Sequence, residues 1–388
     1  MQQTPTRIRL KKGKERPLLQ RHHWIYSGAM AESPAAGDFG EVFAHSGEKL
    51  GLALLNPGHS IAAHMIAFGA ESIEEALRKR IAQAHALRKA WFDPAQTNAY
   101  RLINAEGDGI PGLIVDVYAG AFVLQISHPG IEKLKELLLS LLIELCHPTS
   151  IYEKSTSFLR KKEGMGESRA HLYGEPISEI EIRENNLRFS VDLIEGQKTG
   201  LFLDQREMRS LVRAIASQRR VLNCFAYTGG FSIAALAGGA SHVDSVEMSG
   251  KCAARVEKNL ALNQLAGHRF IEADVFDFLK TTDWNYDLVI LDPPAFVKKR
   301  GDLPRAFHAY KEMNSYAMKK MAPNSLLLTC SCSYHVEESL FQNILFRAAN
   351  EAKREVKILG RHRLALDHPI SIFHPESGYL KSFLLAIQ

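Results

Sequence analysis

Two cysteines one residue apart, Cys330 and Cys332, close the apolar run Leu326-Leu327-Leu328-Thr329. A thiolate is a strong nucleophile, so a thiol at the exit of a buried strand points to covalent catalysis. Residues two apart in an extended strand point the same way, so alternation does not choose between them. Position does. Cys332 lies further past the strand's carboxyl end, where a pocket would open, whereas Cys330 falls where an apolar residue would serve and is expected to be a buried thiol. Upstream, Asp292 ends a second apolar run, Tyr286-Asp287-Leu288-Val289-Ile290-Leu291, and precedes Pro293-Pro294. Proline fixes φ and lacks an N–H, so this turn is stiff enough to hold a carboxyl group in one place.

A cofactor site is expected beside this pair. Asn223-Cys224-Phe225-Ala226-Tyr227-Thr228-Gly229-Gly230-Phe231 follows one strand and opens a helix. Dinucleotide sites use three spaced glycines to seat a pyrophosphate. Here two adjacent glycines stand among aromatic residues, which suits a ligand without phosphates. Glu247 ends the next strand, where a carboxylate can accept bonds from both ribose hydroxyls, and Asp274 follows the third, placed to meet an adenine amino group. Either acid alone could cap a helix. Three sites at successive strand ends instead predict a nucleoside-containing cofactor held by Phe225, Ala226, Tyr227, Thr228, Gly229, Glu247 and Asp274. Asp292 and Gln205 are also expected among the cofactor's contacts.

The elements that must position these groups follow from periodicity. From about residue 220, strands and helices alternate, which implies a parallel sheet covered on both faces. Strands are expected at Val221–Phe225, His242–Glu247, Phe270–Ala273, Leu288–Leu291 and Ser325–Thr329, with a last one at Tyr379–Ile387 following a helix near 337–351. The first 70 or so residues hold short apolar runs, Gly40–Ala44, Gly51–Leu55 and Ile61–Ile66, broken by turn signals at Gly37-Asp38 and Asn56–His59, a pattern for a small β-barrel. Ile73, Ala76, Leu77, Ile81, Ala84 and Leu87 then share one helical face, with arginine and lysine opposite. Residues 100–195 read as mixed α/β, with a helix over Ile131–Cys146. The expected fold class is α/β, divided into domains 1–72, 73–195 and 196–388.

Composition sets limits. No apolar run approaches the ~20 residues of a membrane helix, and a cytoplasmic protein is expected. The five cysteines are odd in number and unspaced, which argues for free thiols in a reducing compartment; a lone C-x-C predicts no metal. The net charge of +5 permits a polyanionic partner without requiring one. Basic residues cluster at Arg7–Arg16, Arg160-Lys161-Lys162 and Lys298-Lys299-Arg300. A solvated face is the ordinary reading of each, but the third adjoins the Asp292 turn.

The series Phe225–Phe231, Glu247, Asp274 and Asp292-Pro293-Pro294-Ala295-Phe296 resembles a class I S-adenosylmethionine methyltransferase. It is similar to the RlmI-type large-subunit ribosomal RNA cytosine-5 methyltransferases. His23–Gly28 resembles the start of that family's N-terminal PUA domain. Arg101–Asp116, Gln197–Glu207, Asp367-His368-Pro369 and Tyr379-Leu380-Lys381 resemble its other signatures. The resemblance spans nearly the whole chain. It implies a PUA-like β-barrel, a small α/β middle domain and a C-terminal Rossmann-like methyltransferase sheet, with S-adenosyl-L-methionine as cofactor and ribosomal RNA as substrate.

It also implies roles. Ser331-Cys332-Ser333 matches the catalytic segment, making Cys332 the nucleophile at cytosine carbon 6, and a protonated Asp292 would contact cytosine N3. Ala295 stands where another class of RNA cytosine-5 methyltransferases carries a second cysteine, so one thiol must suffice, with water or Cys330 left to take the carbon-5 proton. Lys298, Lys299, Arg300, Trp24 and Arg206 are expected to bind RNA, with Trp24, Phe296 and Tyr334 as stacking candidates or core residues. Gln205 and Arg206 are expected to line the pocket, and a homodimer is implied by resemblance alone. Three other readings compete. A guanine-N7 methyltransferase needs no attacking thiol, a silent RNA-binding assembly factor would not need the full residue set, and a nicotinamide oxidoreductase would need spaced glycines.

Overall fold

The computed structural model describes residues 6–32, 38–297 and 299–388. Gly37 and Lys298, both part of the expectations above, lie outside them. The chain divides into two compact units: 1–183 with 191–203 and 366–377, and 184–190 with 204–365 and 378–388.

The first unit opens with β1 (Thr6–Arg9), α1 (Arg16–Leu19), β2 (Trp24–Tyr26), β3 (Phe39–Phe43), β4 (Lys49–Leu55) and β5 (Ile61–Phe68). These form a five-stranded sheet in the order β1-β3-β4-β5-β2. A bridge between Leu10 and Met30, just beyond the two edge strands, closes it into a barrel. The alternating residues Ile8, Leu10, Ile25, Val42, Ala53 and Met65 fill its core. Gly51 has φ +145°, and a Cβ there would meet Ala67 O at 2.1 Å; only glycine allows so close an approach of two strands.

Helix α2 (Ile73–Trp91) follows, opened by a capping box between Ser72 and Glu75. Its face differs from the expected one at the end: Leu87 is exposed and Arg88 is fully buried. The reason is pairing. Arg88 makes two 2.7 Å bonds to Asp108 and donates Nε to Arg101 O at 2.9 Å. The next sheet holds β6 (Ala99–Asn104), β7 (Leu113–Tyr118), β8 (Ala121–Ile126), β9 (Ser150–Ser155) and β10 (Ser168–Gly174), in reverse order along the sheet. The helix expected over Ile131–Cys146 is two, α3 (Pro129–Lys133) and α4 (Lys135–Cys146), separated by Leu134 at φ −92°, ψ 4°. In α5 (Phe158–Lys162), Arg160 is buried rather than solvated, bonded to Glu132 and to Ile126 O. A hairpin of β11 (Glu179–Glu184) and β12 (Leu187–Asp192) comes next, its residues 184–190 belonging to the second unit.

The second unit contains α6 (Arg206–Ile215), β13 (Arg220–Cys224), α7 (Gly230–Ala237), β14 (His242–Glu247), α8 (Lys251–Leu262), β15 (His268–Glu272), α9 (Val275–Thr281), β16 (Leu288–Leu291), α10 (Leu303–Lys320), β17 (Ser325–Ser331), α11 (Glu338–Ala352), β18 (Val356–His362) and β19 (Lys381–Ile387). Its sheet runs β15-β14-β13-β16-β17-β19-β18. The first five strands are parallel and β19 is antiparallel to both β17 and β18. Strands buried on both faces read as continuous apolar runs, as Leu288–Leu291 does. β18 was not expected: it is an edge strand whose Ile358 and Leu359 are exposed, so it carries no burial pattern.

Candidate active site

Because β15, β14, β13, β16 and β17 are parallel neighbours, the residues that follow them share one carboxyl edge. Sheets of this kind bind ligands there. Asp274, Glu247, the Phe225–Gly229 loop, the Asp292 turn and Cys332 are thus gathered by topology alone.

The loop after β13 is unusual in its backbone. Phe225 and Tyr227 have φ of +61° and +48°, and Gly229 has +78°. Such conformations cost of order 1–3 kcal/mol each for residues with a side chain, and they concentrate at ligand sites. Tyr227 N–H donates to Glu247 Oε2 at 3.0 Å, and Ser249 N–H donates to Oε1 at 3.2 Å. Asn259 Nδ2 donates to Thr228 O at 3.0 Å. Glu247 is half-buried and so still open to a ligand. A Cβ on Gly229 would crowd Val256 at 3.1 Å. A cradle of this shape, with a carboxylate at its rim and no basic side chain on the loop, fits an uncharged nucleoside better than a pyrophosphate. Asp274 caps α9: its Oδ1 accepts from Phe276 N and Asp277 N at 2.8 and 3.1 Å. The residue is exposed, and both bonds use one oxygen.

At the inner end, Gln205 Nε2 donates to Asp292 Oδ1 at 2.9 Å. Gln205 is buried, and its Oε1 has no hydrogen-bond partner. A buried acceptor left unpaired costs about 1–3 kcal/mol, which a ligand N–H would relieve. Cys332 is half-buried, and its Sγ lies 3.6 Å from Pro293 O. The thiol therefore lies at the turn that carries Asp292. Cys330 is wholly buried, and that burial pushes its thiol well above the ordinary range.

Two further groups shape this corner. Tyr310 Oη accepts from Ser331 Oγ at 3.0 Å and lies 3.0 Å from Ser333 Oγ, so one phenol ties both serines that flank Cys332. Lys381 Nζ donates to Ser333 O at 2.8 Å and to Tyr379 O at 2.7 Å. Tyr310 carries no sequence signal, because helix periodicity reads it as core. Lys381 does carry one: it is a single charge in an otherwise apolar strand, Lys381-Ser382-Phe383-Leu384-Leu385-Ala386-Ile387.

The remaining expected contacts scatter. Lys299 is exposed. Arg206 is 2% exposed and lies 3.6 Å from Glu184, so its guanidinium faces a buried carboxylate rather than an open groove. Phe296 packs on Tyr310, 4.7 Å between ring centroids, and Tyr334 is exposed beside His335. In the first unit, Trp24 donates Nε1 to Glu106 at 3.1 Å and packs edge-on against His374. It helps line a cleft of about 530 Å³ with Lys14, His22, Tyr26 and Glu376. His22, His374 and Glu376 bring ligand atoms within 4.8 Å of one another. However, Trp24 N–H donates to His22 Nδ1 at 3.2 Å, which puts the ring proton on Nε2, facing Glu376 Oε1 at 3.2 Å. A proton sits where an ion would need a lone pair.

Comparison with known proteins agrees with the geometry. Residues 116–356 match the family model of S-adenosylmethionine-dependent methyltransferases, and residues 8–68 match a PUA-like domain. Ribosomal RNA large subunit methyltransferase I of Vibrio parahaemolyticus is 38% identical over 97% of this chain and 98% of its own. The Escherichia coli protein of the same name is also 38% identical, with the same coverage. A solved structure described as a SAM-dependent methyltransferase from Streptococcus mutans superposes with a TM-score of 0.85 at 25% identity, covering 98% of this chain and 99% of the other. A methyltransferase complexed with SAH superposes at 0.87, with 24% identity and the same coverage. The chain belongs to the S-adenosylmethionine-dependent methyltransferase family that includes ribosomal RNA large subunit methyltransferase I, with a PUA-like domain at its N-terminal end and S-adenosyl-L-methionine as its cofactor.

Proposed function

We propose that this protein methylates carbon 5 of a cytosine in large-subunit ribosomal RNA, in the cytoplasm, through a covalent bond from Cys332 to carbon 6. The observation that carries the reading is the meeting of Cys332 Sγ with the Asp292-Pro293 turn, 3.6 Å from Pro293 O. A guanine-N7 methyltransferase has no use for a thiol there.

Cytosine carbon 5 is a poor nucleophile. The Cys332 thiolate adds to carbon 6, forming a C–S bond and driving the ring's π electrons toward carbon 5 and N3. Protonated Asp292, held by Gln205, donates to N3 as negative charge builds there. S-adenosylmethionine, held by Glu247, Asp274 and the Phe225–Gly229 loop, would supply an electrophilic methyl group to carbon 5 and leave as S-adenosylhomocysteine. The carbon-5 proton then leaves to water, N3 gives its proton back to Asp292, and the C–S bond breaks to return the thiolate and the aromatic ring. Cys330 is a poor alternative acceptor, being sealed from the edge.

Glu247 would accept the ribose hydroxyls, Asp274 Oδ2 the adenine amino group, and the Phe225–Gly229 backbone would lie along the nucleoside. The target base must leave its stack to reach Cys332. Lys298, Lys299 and Arg300 would grip phosphates beside it, and the barrel, with Trp24 at its cleft, would hold RNA by shape and backbone contacts. The test is nucleoside analysis of ribosomal RNA incubated with cofactor and either Cys332→Ala or Cys330→Ala. The first should yield no 5-methylcytosine and the second near-normal amounts; the reverse pattern would overturn the reading.

A further inference from the structure

Taking Cys332 as the nucleophile, the geometry points to Lys381 as its positioning cation: an ammonium fixed beside the strand exit that holds the thiol's neighbours in place and favours the thiolate.

Three observations converge. First, β19 places Lys381 directly opposite Ser331, the residue before Cys332. Second, its side chain reaches past Cys332 to bond the carbonyl of Ser333, the residue after it, at 2.8 Å. The lysine thus braces both sides of the nucleophile. Third, Lys381 is only 7% exposed, and its ammonium donates to two backbone carbonyls, on Ser333 and Tyr379. A buried ammonium bonded to neutral carbonyls, with Glu337 and Glu338 acting on it more weakly than Cys332 does, has a place for a nearer counter-charge. Charged groups are almost never buried without one, and a thiolate at Cys332 would provide it.

The electrostatics agree. Burial, aided by Arg363, pulls Lys381 down to about 8, while the Cys332 sulfur pushes the other way, ahead of Glu337 and Glu338. Interaction between two titrating groups is mutual, so an ammonium stabilised by the thiolate stabilises the thiolate equally. Asp292 faces the same corner and would oppose the thiolate only when ionised; protonated, as the proposed reaction uses it, it does not. Tyr310 and Cys330, both raised mainly by burial, remain neutral there.

The test needs no RNA. Iodoacetamide alkylation of Cys332 is followed by peptide mass spectrometry from pH 6 to 10 on the full chain, for wild type, Lys381→Met and Lys381→Arg, with S-adenosylmethionine binding and thermal melting as folding checks. In wild type, the midpoint should fall below the ~8.5 of an unperturbed thiol. Lys381→Met should move it up by about one unit and slow alkylation at pH 7 about tenfold, while Lys381→Arg restores it. A residue that only shapes the strand would leave all three midpoints alike. Lys381→Gln reads the same quantity if the methionine variant does not fold. A wild-type midpoint at or above that of a free thiol, or a neutral variant with the wild-type profile, would overturn the inference. Should Cys332→Ala still make 5-methylcytosine, the nucleophile reading fails separately.

Discussion

Two buried polar networks, one in each unit, differ in how far they are closed. In the first, charges close on one another. Arg88 and Asp108 share two 2.7 Å bonds. Arg101 grips Asp116 at 2.8 and 3.0 Å, and Thr199 caps the same carboxylate at 2.7 Å. In the second, the carboxyl edge of the sheet leaves groups unfinished. Phe225 and Tyr227 sit in left-handed backbone, and Gln205 Oε1 is buried without a partner. A closed network holds a shape, whereas strain and unspent hydrogen-bonding capacity at one edge mark a place that a ligand completes. The signature running Arg101–Asp116 is therefore architecture, although it is as distinctive in sequence as the catalytic turn.

That contrast can be broken or sharpened by experiment. The largest effect should come from Cys332→Ala, which should lower methylation by on the order of 10⁴-fold or more, the scale of losing a nucleophile, with S-adenosylmethionine affinity unchanged by calorimetry. Next, Arg88→Met strands Asp108 in the first unit and should cost about 3–5 kcal/mol of stability in urea denaturation, again with cofactor affinity intact. Weaker binding there would mean the networks are not separate in function.

Acid should distinguish the units as well. Burial lowers His23 to about 4 and His128 to about 3, and lowers His374 too. A histidine whose folded value lies below its unfolded one binds fewer protons when folded. Its contribution is therefore present above about 6.5 and is lost as pH falls through the folded value. Glu106 is lowered to about 2, with burial opposing and His64 and Trp24 bonds prevailing, so its contribution is lost between about 4.5 and about 2. The second unit has His268 at about 4 and a lowered His362, both from burial. Hydrogen exchange should show protection falling below pH 6.5 more steeply in the first unit. Equal loss in both would contradict this.

Smaller effects belong to the cofactor rim. Glu247→Ala removes a charged acceptor and should weaken S-adenosylmethionine binding by roughly 1.5–3 kcal/mol, about 10- to 150-fold. Asp274→Ala should cost about 1 kcal/mol of stability as a lost cap, with a further loss of affinity if its second oxygen meets adenine.

Much of this was legible from spacing. Glycines after one strand and acids after the next two predicted one shared edge, and the sheet gathers them there, because parallel strands bring their ends together whatever the helices between them do. Periodicity failed where burial was one-sided or charged. The edge strands β10 and β18 show no apolar stripe, and Arg88 and Arg160 are buried because of partners far along the chain. The serine, tyrosine and lysine contacts around Cys332 escaped for the same reason. A strand's pattern says which face is buried, not which hydroxyl or ammonium lies across from it.

The central claim is a bond between one sulfur and one ring carbon. Ribosomal RNA carrying 5-fluorocytosine cannot lose the carbon-5 substituent as a proton, so incubation with protein and S-adenosylmethionine should trap the covalent species. A denaturant-stable adduct mapping by mass spectrometry to Cys332 is the predicted result. An adduct on Cys330, or none while ordinary RNA gains 5-methylcytosine, would contradict the account.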